Sequence, residues 1–568
     1  MAEPEDPAII VVGGDELALS TAQELCALQG HRVVVLWQRD PDFGRAVEDV
    51  GAIFIAVGRP DTAEALERAA VRRATAILAL SPDDQLNLHA ALLARDANPR
   101  IRIVLRQFNR TLAQKLEQNL PNCSVLSLAW HSAATYAAAA IDPSCFRGMQ
   151  FPEPDGPLTG FATRLATACR VTGNTVEQAE RALAARIITV DGVTDFRRDM
   201  VLSEGAELVI YGNITSLENS APRRAFEPRR RAYGSKLHPL LPRSGRHPPR
   251  LNPILARLAV VTLAVLAVGA AYFHVVFGGA WLDAVYFVVA TMTTTGYGDL
   301  TPDRTHPIEI IAAMLLMLAG ITLTGLFIAF GASLLTRVHW VKLQGLRPVH
   351  RRGHIVVCGA GSIGTGVIDL LLSLGKRLVV IERDPDTNLV ERARELRFDL
   401  LTGDASRDTT LDLCHLGAAH SLVALTNVDT LNLEIALGAR ARNPTMPIVL
   451  RIAEASFAAS TARHFEFETT FSAAALAAPA FVGLSRFAGS RGRVGFGGRE
   501  FAVHEIGIED FSWSLRADAI PIAASHGGKF EIVDNVEMLG PGDRALVLIP
   551  LAPFREANAA LAAAVPGA

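Results

Sequence analysis

Two short stretches of this 568-residue chain place residue types at spacings that could do chemistry. The first is Thr294-Thr295-Gly296-Tyr297-Gly298-Asp299. A dehydrated cation needs a ring of oxygens in place of its water. Four such strands around one axis supply that ring if their backbone carbonyls point inward. Successive carbonyls face one way only when alternate residues take left-handed dihedrals, which Gly adopts cheaply. Gly296 and Gly298 have that alternation. Thr294 can add a hydroxyl at the inner end, Thr295 should point away from the ion path, and Tyr297 can brace the strand from behind. The second stretch is Ile355-Val-Val-Cys-Gly359-Ala-Gly361-Ser362-Ile363-Gly364, a strand-like run, a glycine turn and the start of a helix. That is the dinucleotide fingerprint in its proper context. Gly359 makes the tight turn, Gly361 lets phosphate approach the backbone and Gly364 lets the helix pack on the sheet. The helix N-terminus, with Ser362 and Ile363, faces the phosphates. Glu382, 23 residues after Gly359, is placed to bind ribose hydroxyls and to repel a 2′-phosphate. Arg383 follows it, and Gly403, Asp404, Ala405 and Thr426 lie at later strand ends, the edge where ligands bind in such sheets.

The first stretch needs a membrane around it. Two apolar runs, Ile254 to Phe277 and Ile308 to Thr336, reach the roughly 20 residues that span a bilayer. Arg257, His274 and Glu309 near their ends are the interruptions, and neither run has the polar face of a helix in a soluble protein. Residues 216–250 carry nine Lys or Arg against Glu218 and Glu227, and Arg337, Lys342, Arg347, Arg351 and Arg352 follow the second run. The segment between the runs holds Asp283, Asp299, Asp303 and a single Arg304. Positive residues are retained on the cytoplasmic side, so both termini are expected in the cytoplasm. Arg257 can snorkel to the inner interface. Irregular backbone at membrane depth is tolerable only where it lines an aqueous path and is packed by protein.

The segment from Trp281 to Asp299 resembles the pore helix and selectivity filter of potassium channels; the mechanism is the one described for those filters in general. The resemblance implies potassium as the permeant ion and a homotetramer. Thr295 stands where the commonest filter has Val. Ala319-Gly320-Ile321-Thr322 resembles the inner helix of such channels, with Gly320 as the gating hinge; the alternative is a glycine that permits close packing.

The chain also repeats itself on either side of the pore. Ile77 to Leu88 matches Leu422 to Leu433, Asn98-Pro99 matches Asn443-Pro444, and Ile103-Val-Leu-Arg106 matches Ile448-Val-Leu-Arg451, all at an offset of 345 residues. Alternating strands and helices imply a parallel, doubly wound sheet in each copy. Both copies resemble the RCK family, the regulator of potassium conductance, over residues 7–215 and 352–555. The expected fold class is therefore a membrane α-helical pore plus two α/β Rossmann-type RCK domains, each with a small α+β lobe. The expected boundaries are 1–150 and 151–215 for the first RCK domain and its lobe, with a basic linker at 216–250. The pore domain is 251–340, with spans 254–277 and 308–336, pore helix 281–293 and filter 294–298. The second RCK domain is 350–480 and its lobe 481–555. In the first copy Asp15 replaces the second glycine of the fingerprint, Ala18 the third, and Gln38 the ribose carboxylate. A carboxylate repels a pyrophosphate, so this site reads as abandoned.

Composition narrows the rest. Lys plus Arg (55) balances Asp plus Glu (58), which argues against nucleic acid as a partner. The six cysteines form no CxxC pair, so neither a zinc site nor a disulfide framework is indicated. Residues 1–6 are acidic and lead straight into a strand, which is not a signal peptide. The linker reads as solvated, or as a patch for anionic lipid heads. The expected function is a ligand-gated potassium channel in the cell membrane, with a cytoplasmic ring of eight RCK domains. An adenine nucleotide or NAD is expected in the second RCK domain, with calcium as a further candidate ligand. The alternatives are a membrane-anchored regulatory subunit of a potassium uptake system and an NAD-dependent oxidoreductase. The second lacks any visible catalytic His, Lys or Tyr constellation, and no enzymatic activity is expected.

Overall fold

Short apolar runs rich in Val and Ile alternate with amphipathic stretches on both sides of the pore segment; they form strands that are buried at the centre of each sheet and partly exposed at its edge, as in Ile53–Ala56. The computed structural model describes residues 8–28, 32–152, 156–221, 253–303, 305–343, 349–467, 469–507, 519–527, 529–533, 539–540 and 542–551, with the backbone alone at 253–256 and 330–343. The first copy has strands β1 (Ala8–Val12), β2 (Arg32–Trp37), β3 (Ile53–Ala56), β4 (Ala76–Ala79), β5 (Arg102–Arg106) and β6 (Cys123–Leu126). They join through helices α1 (Glu16–Ala27), α2 (Pro41–Asp49), α3 (Ala63–Arg68), α4 (Asp84–Ala97) and α5 (Arg110–Asn119), and α6 (Leu128–Ile141) follows the last. The lobe holds β7 (Cys145–Gln150), β8 (Leu158–Leu165), α7 (Val176–Leu183), β9 (Ala185–Val190), β10 (Glu207–Asn213) and α8 (Ile214–Ser220). The pore segment is α9 (Pro253–Phe277), α10 (Trp281–Met292) and α11 (Pro307–Leu343).

The second copy repeats the plan. Its strands are β11 (Ile355–Cys358), β12 (Leu378–Glu382), β13 (Asp399–Thr402), β14 (Ser421–Ala424), β15 (Ile448–Arg451) and β16 (Thr469–Phe471). Its helices are α12 (Ser362–Ser373), α13 (Thr387–Glu395), α14 (Asp408–Leu413), α15 (Asp429–Arg442), α16 (Ala455–Phe465) and α17 (Ala473–Leu484). The lobe strands are β17 (Ser490–Phe496), β18 (Arg499–Gly507), β19 (Ile520–His526), β20 (Lys529–Glu531) and β21 (Arg544–Pro550). The two large sheets have the same parallel order, β3-β2-β1-β4-β5-β6 and β13-β12-β11-β14-β15-β16, while the lobe sheets are antiparallel, β7-β8-β10-β9 and β17-β18-β21-β19-β20. Two expected boundaries shift. The first lobe sheet already begins at Cys145, ahead of 150, and the 480/481 boundary falls inside α17. The linker 216–250 begins as α8 and from 222 onward lies outside the described residues.

The copies are interlocked. Residues 1–228 and 347–568 form one compact unit, and 229–346 a second. Helix α6 packs on α12 of the second copy, and α17 returns the exchange by packing on α1 of the first. Small residues make this possible: a Cβ at Gly366 would lie 2.9 Å from that of Ala133. Polar contacts fix the seam. Tyr136 Oη donates to the Phe471 carbonyl at 2.9 Å, Ser421 Oγ to that of Ala140 at 2.6 Å, and Arg102 Nε to that of Leu484 at 3.0 Å. The lobes meet through an aromatic core of Phe151, Phe161, Tyr211, Phe496 and Phe501.

Within the pore unit, α10 packs its Phe287 against Phe273 and Phe277 of α9, with ring centroids 4.7 and 5.1 Å apart. Arg257–Phe277 and Pro307–Ala329 are long and apolar enough to cross a membrane, with mean hydropathies of 2.2 and 2.3 and only 11% and 22% of their most apolar windows buried. So much exposed apolar surface does not suit the core of a soluble protein. Helix α11 runs to Leu343, beyond the expected end at 336.

Candidate functional site

The glycine turn of the second copy is tight at Gly359 and Gly364 and open at Gly361. Gly359 follows β11 with φ +94°, and its N–H donates to the Ile381 carbonyl at 2.9 Å. A Cβ at Gly364 would run into the Gly359 carbonyl oxygen. Gly361 is the N-cap of α12 and makes no side-chain cap bond. Among the described residues, nothing lies within 4 Å of where its Cβ would be. The first amides of α12 thus open onto space a phosphate could fill. Glu382, at the end of β12, is fixed by backbone: Oε2 accepts from Ala360 N at 2.7 Å and Oε1 from Arg383 N at 2.8 Å. The Ser406 amide and hydroxyl bond the Asp404 carboxylate and hold it below its ordinary range. Thr426 Oγ1 donates to Asn432 Oδ1 at 2.7 Å, and Asn432 Nδ2 donates to the Arg451 carbonyl at 3.0 Å.

Nine of the eleven expected site residues line one cleft of about 680 Å³: Gly359, Gly361, Ser362, Ile363, Glu382, Arg383, Asp404, Ala405 and Thr426. Gly364 and Gly403 lie beneath it, Gly403 N donating to the Glu382 carbonyl at 2.9 Å. The volume, the open Gly361 and the fixed Glu382 fit a nucleotide. Arg451 also lines the cleft, and the far wall comes from the first copy, through Arg106, Gln107, Phe108 and the start of α6. These were missed, although Arg451 and Asn432 stood in the repeated motifs; a wall given by another domain leaves no local signal.

The first copy keeps the turn but fills the site. Asp15 caps α1, its Oδ1 accepting from Ala18 N at 3.2 Å, and its Oδ2 pairs with Arg106 Nη1 at 2.5 Å. Strand register corrects one assignment. Leu36 pairs with Val12 as Ile381 pairs with Cys358, so the counterpart of Glu382 is Trp37, not Gln38. Aligning Arg39-Asp40-Pro41 with Arg383-Asp384-Pro385 is one residue out of step with the strands. The Trp37 indole covers Gly14 so closely that a Cβ there would collide with it.

In the pore unit, Thr294, Gly296 and Gly298 have φ of +60°, +48° and +76°, so the left-handed alternation extends one step inward to a threonine. Thr295 Oγ1 lies 2.9 Å from Thr293 Oγ1 at the end of the pore helix. Tyr297 stacks on Tyr286 with centroids 6.5 Å apart. Gly320 has a packing reason: a Cβ there would lie 2.6 Å from the Met292 Cα and carbonyl oxygen of α10. Gly325 has no such neighbour among the described residues. Among the described residues, no three His, Cys, Asp or Glu side chains cluster as a metal site would require.

Residues 9–122 and 355–469 match the TrkA-N domain, and residues 260–337 match the ion channel domain. The class is thereby defined: a two-helix channel domain flanked on both sides by TrkA-N, or RCK, domains. Potassium channel protein 1 of Methanocaldococcus jannaschii is 27% identical over 199 residues, 34% of this chain and 59% of that protein. The voltage-gated potassium channel Kch of Escherichia coli K12 is 25% identical over 181 residues, 30% of this chain and 42% of that protein. This chain thus spans about half the length of these relatives. A solved structure described as the GsuK channel superposes with a TM-score of 0.50 at 14% identity, covering 99% of this chain and 80% of that one, a likeness of fold.

Proposed function

We propose that the chain is the subunit of a homotetrameric, potassium-selective channel whose opening is controlled by an adenine nucleotide or NAD in the second TrkA-N domain. The observation that carries this is the Thr294–Gly298 segment, with alternating left-handed dihedrals, between two helices able to cross a membrane. One such segment cannot surround an ion, so four chains share an axis. Each contributes two TrkA-N domains, giving a cytoplasmic ring of eight. Potassium is the permeant ion, coordinated by carbonyls from Thr294 to Gly298 and by the Thr294 hydroxyl. Two potassium channels among the relatives support that ion.

In the second domain, Glu382 binds the ribose hydroxyls, Gly361 and the N-terminus of α12 receive the phosphates, and Asp404 and Thr426 border the base. The first domain, filled by Asp15 and Trp37, is scaffold. Ligand energy reaches the pore through Arg337 to Arg352, with Gly320 as both packing point and hinge. Calcium stays a candidate second ligand, and the basic linker a candidate contact for anionic lipid heads. Both termini lie in the cytoplasm and the channel sits in the cell membrane. The test is potassium flux into proteoliposomes with ADP or NAD added on either side. Flux that depends on one of them, and that Glu382→Ala makes insensitive to it, is the expected result. Flux indifferent to both would overturn the gating part of the proposal.

A further inference from the structure

We infer that Arg451 is the phosphate-binding cation of the second domain, and that in the first domain Asp15 is a built-in stand-in for that phosphate. The inference rests on the reading of the cleft as a nucleotide site and assigns it a residue. It comes from comparing the two copies atom by atom. Arg106 and Arg451 end equivalent strands, β5 and β15. Each guanidinium reaches an equivalent carbonyl: Arg106 Nη1 that of Leu80 at 3.0 Å, and Arg451 Nη1 that of Leu425 at 3.4 Å, beside a shorter bond to the Thr426 carbonyl at 3.1 Å. Leu80 and Leu425 are themselves equivalent, at the repeat offset of 345. What differs is the counter-charge. In the first copy it is Asp15, 2.5 Å from Arg106 and bonded to the N-terminus of α1 through Ala18 N. In the second copy the same position is Gly361.

Both residues are helix N-caps in extended backbone, with φ −113° and ψ 177° at Asp15 and φ −65° and ψ −168° at Gly361. The space of the missing carboxylate is open. Arg451 lines the cleft, its Nε is buried without a partner, and among the described residues no carboxylate pairs with it. The guanidinium is partly buried and its Nη1 meets only neutral carbonyls, of Leu425 and Thr426, so it carries an unbalanced positive charge at the cleft wall. A phosphate seated on the α12 amides would take the place that the Asp15 carboxylate takes in the first copy. Arginine suits that role because its planar fork matches phosphate oxygens.

The test uses the full-length protein in detergent, with ADP and adenosine as probes in calorimetric titrations. Arg451→Gln should weaken ADP by about 10- to 100-fold, as expected for loss of a charged hydrogen bond, and leave adenosine unchanged. Gly361→Asp recreates the arrangement of the first copy. It should abolish the preference for ADP over adenosine while the melting temperature holds or rises. An Arg451→Gln protein that binds ADP as the wild type does would overturn the assignment. Should that variant fail to fold, unchanged ADP affinity in Gly361→Asp overturns it instead. A wild type that binds neither probe would overturn the reading of the cleft itself, and the assignment with it.

Discussion

At the scale of single residues, the two copies differ by a handful of side chains that fill the turn of the first copy and leave that of the second open. Glu382 both steadies the glycine turn, through Ala360 N, and faces the cleft. Glu382→Ala should therefore remove most of the thermal stabilisation that saturating ADP gives the wild type, which for a ligand at about 100 times its Kd is about 2.7 kcal/mol. A second residue gives a pH signature. Burial, and then the nearby Glu454 of the second copy, raise the Glu16 carboxyl from 4.5 to about 7. The folded state then holds a proton that the unfolded state has released, so stability from this group is full below about pH 4.5 and lost as pH rises towards 7. Glu16→Gln should raise the melting temperature at pH 8, and the gain should shrink as pH falls through that window. A gain independent of pH would contradict the burial argument. The glycines and Glu382 were legible in the sequence because their spacing along one strand-turn-helix is the signal. Trp37 and Arg451 were not, because their meaning depends on strand register and on what stands across the turn.

At the scale of elements, the exchange of α6 and α17 joins the halves of the chain. Of the 14 residues of α6, 12 are buried, among them Tyr136, whose hydroxyl reaches the Phe471 carbonyl. Tyr136→Phe should cost about 1 kcal/mol, the Phe471 carbonyl keeping its other bond, from Ile452 N at 3.0 Å. Gly366→Val, which forces a methyl group into Ala133, should cost more, as overpacking does. Calorimetric melts of the two variants check the order, and a Gly366→Val protein as stable as the wild type would show that α6 does not pack there. The repeat made both sheets and their strand order legible. The exchange was not, since a helix apolar on all sides reads the same whether it covers its own sheet or a neighbour's. One practical consequence is that neither half, expressed alone, would keep its core covered.

At the scale of the whole molecule, the proposed gating couples the nucleotide cleft to the pore through the segment from Arg337 to Arg352. The bounds of α9 and α10 were legible almost to the residue, because apolar length is a local signal. The end of α11 was not: the charged residues after Thr336 stop a membrane span but are good helix formers, and the helix runs on to Leu343. A short tether carries displacement with little slack. Inserting about ten flexible Gly and Ser residues after Leu343 should uncouple nucleotide from conductance and leave ion selectivity intact. The same insertion near residue 235 should do much less, and equal effects would contradict the proposed division of labour. The central claim is potassium selectivity through Thr294 to Gly298. Its most direct test is the reversal potential of the purified protein in planar bilayers with opposed potassium and sodium gradients. The account predicts a potential that follows potassium by about 59 mV per tenfold ratio and ignores sodium. A reversal potential that stays near zero with potassium on one side and sodium on the other would contradict it.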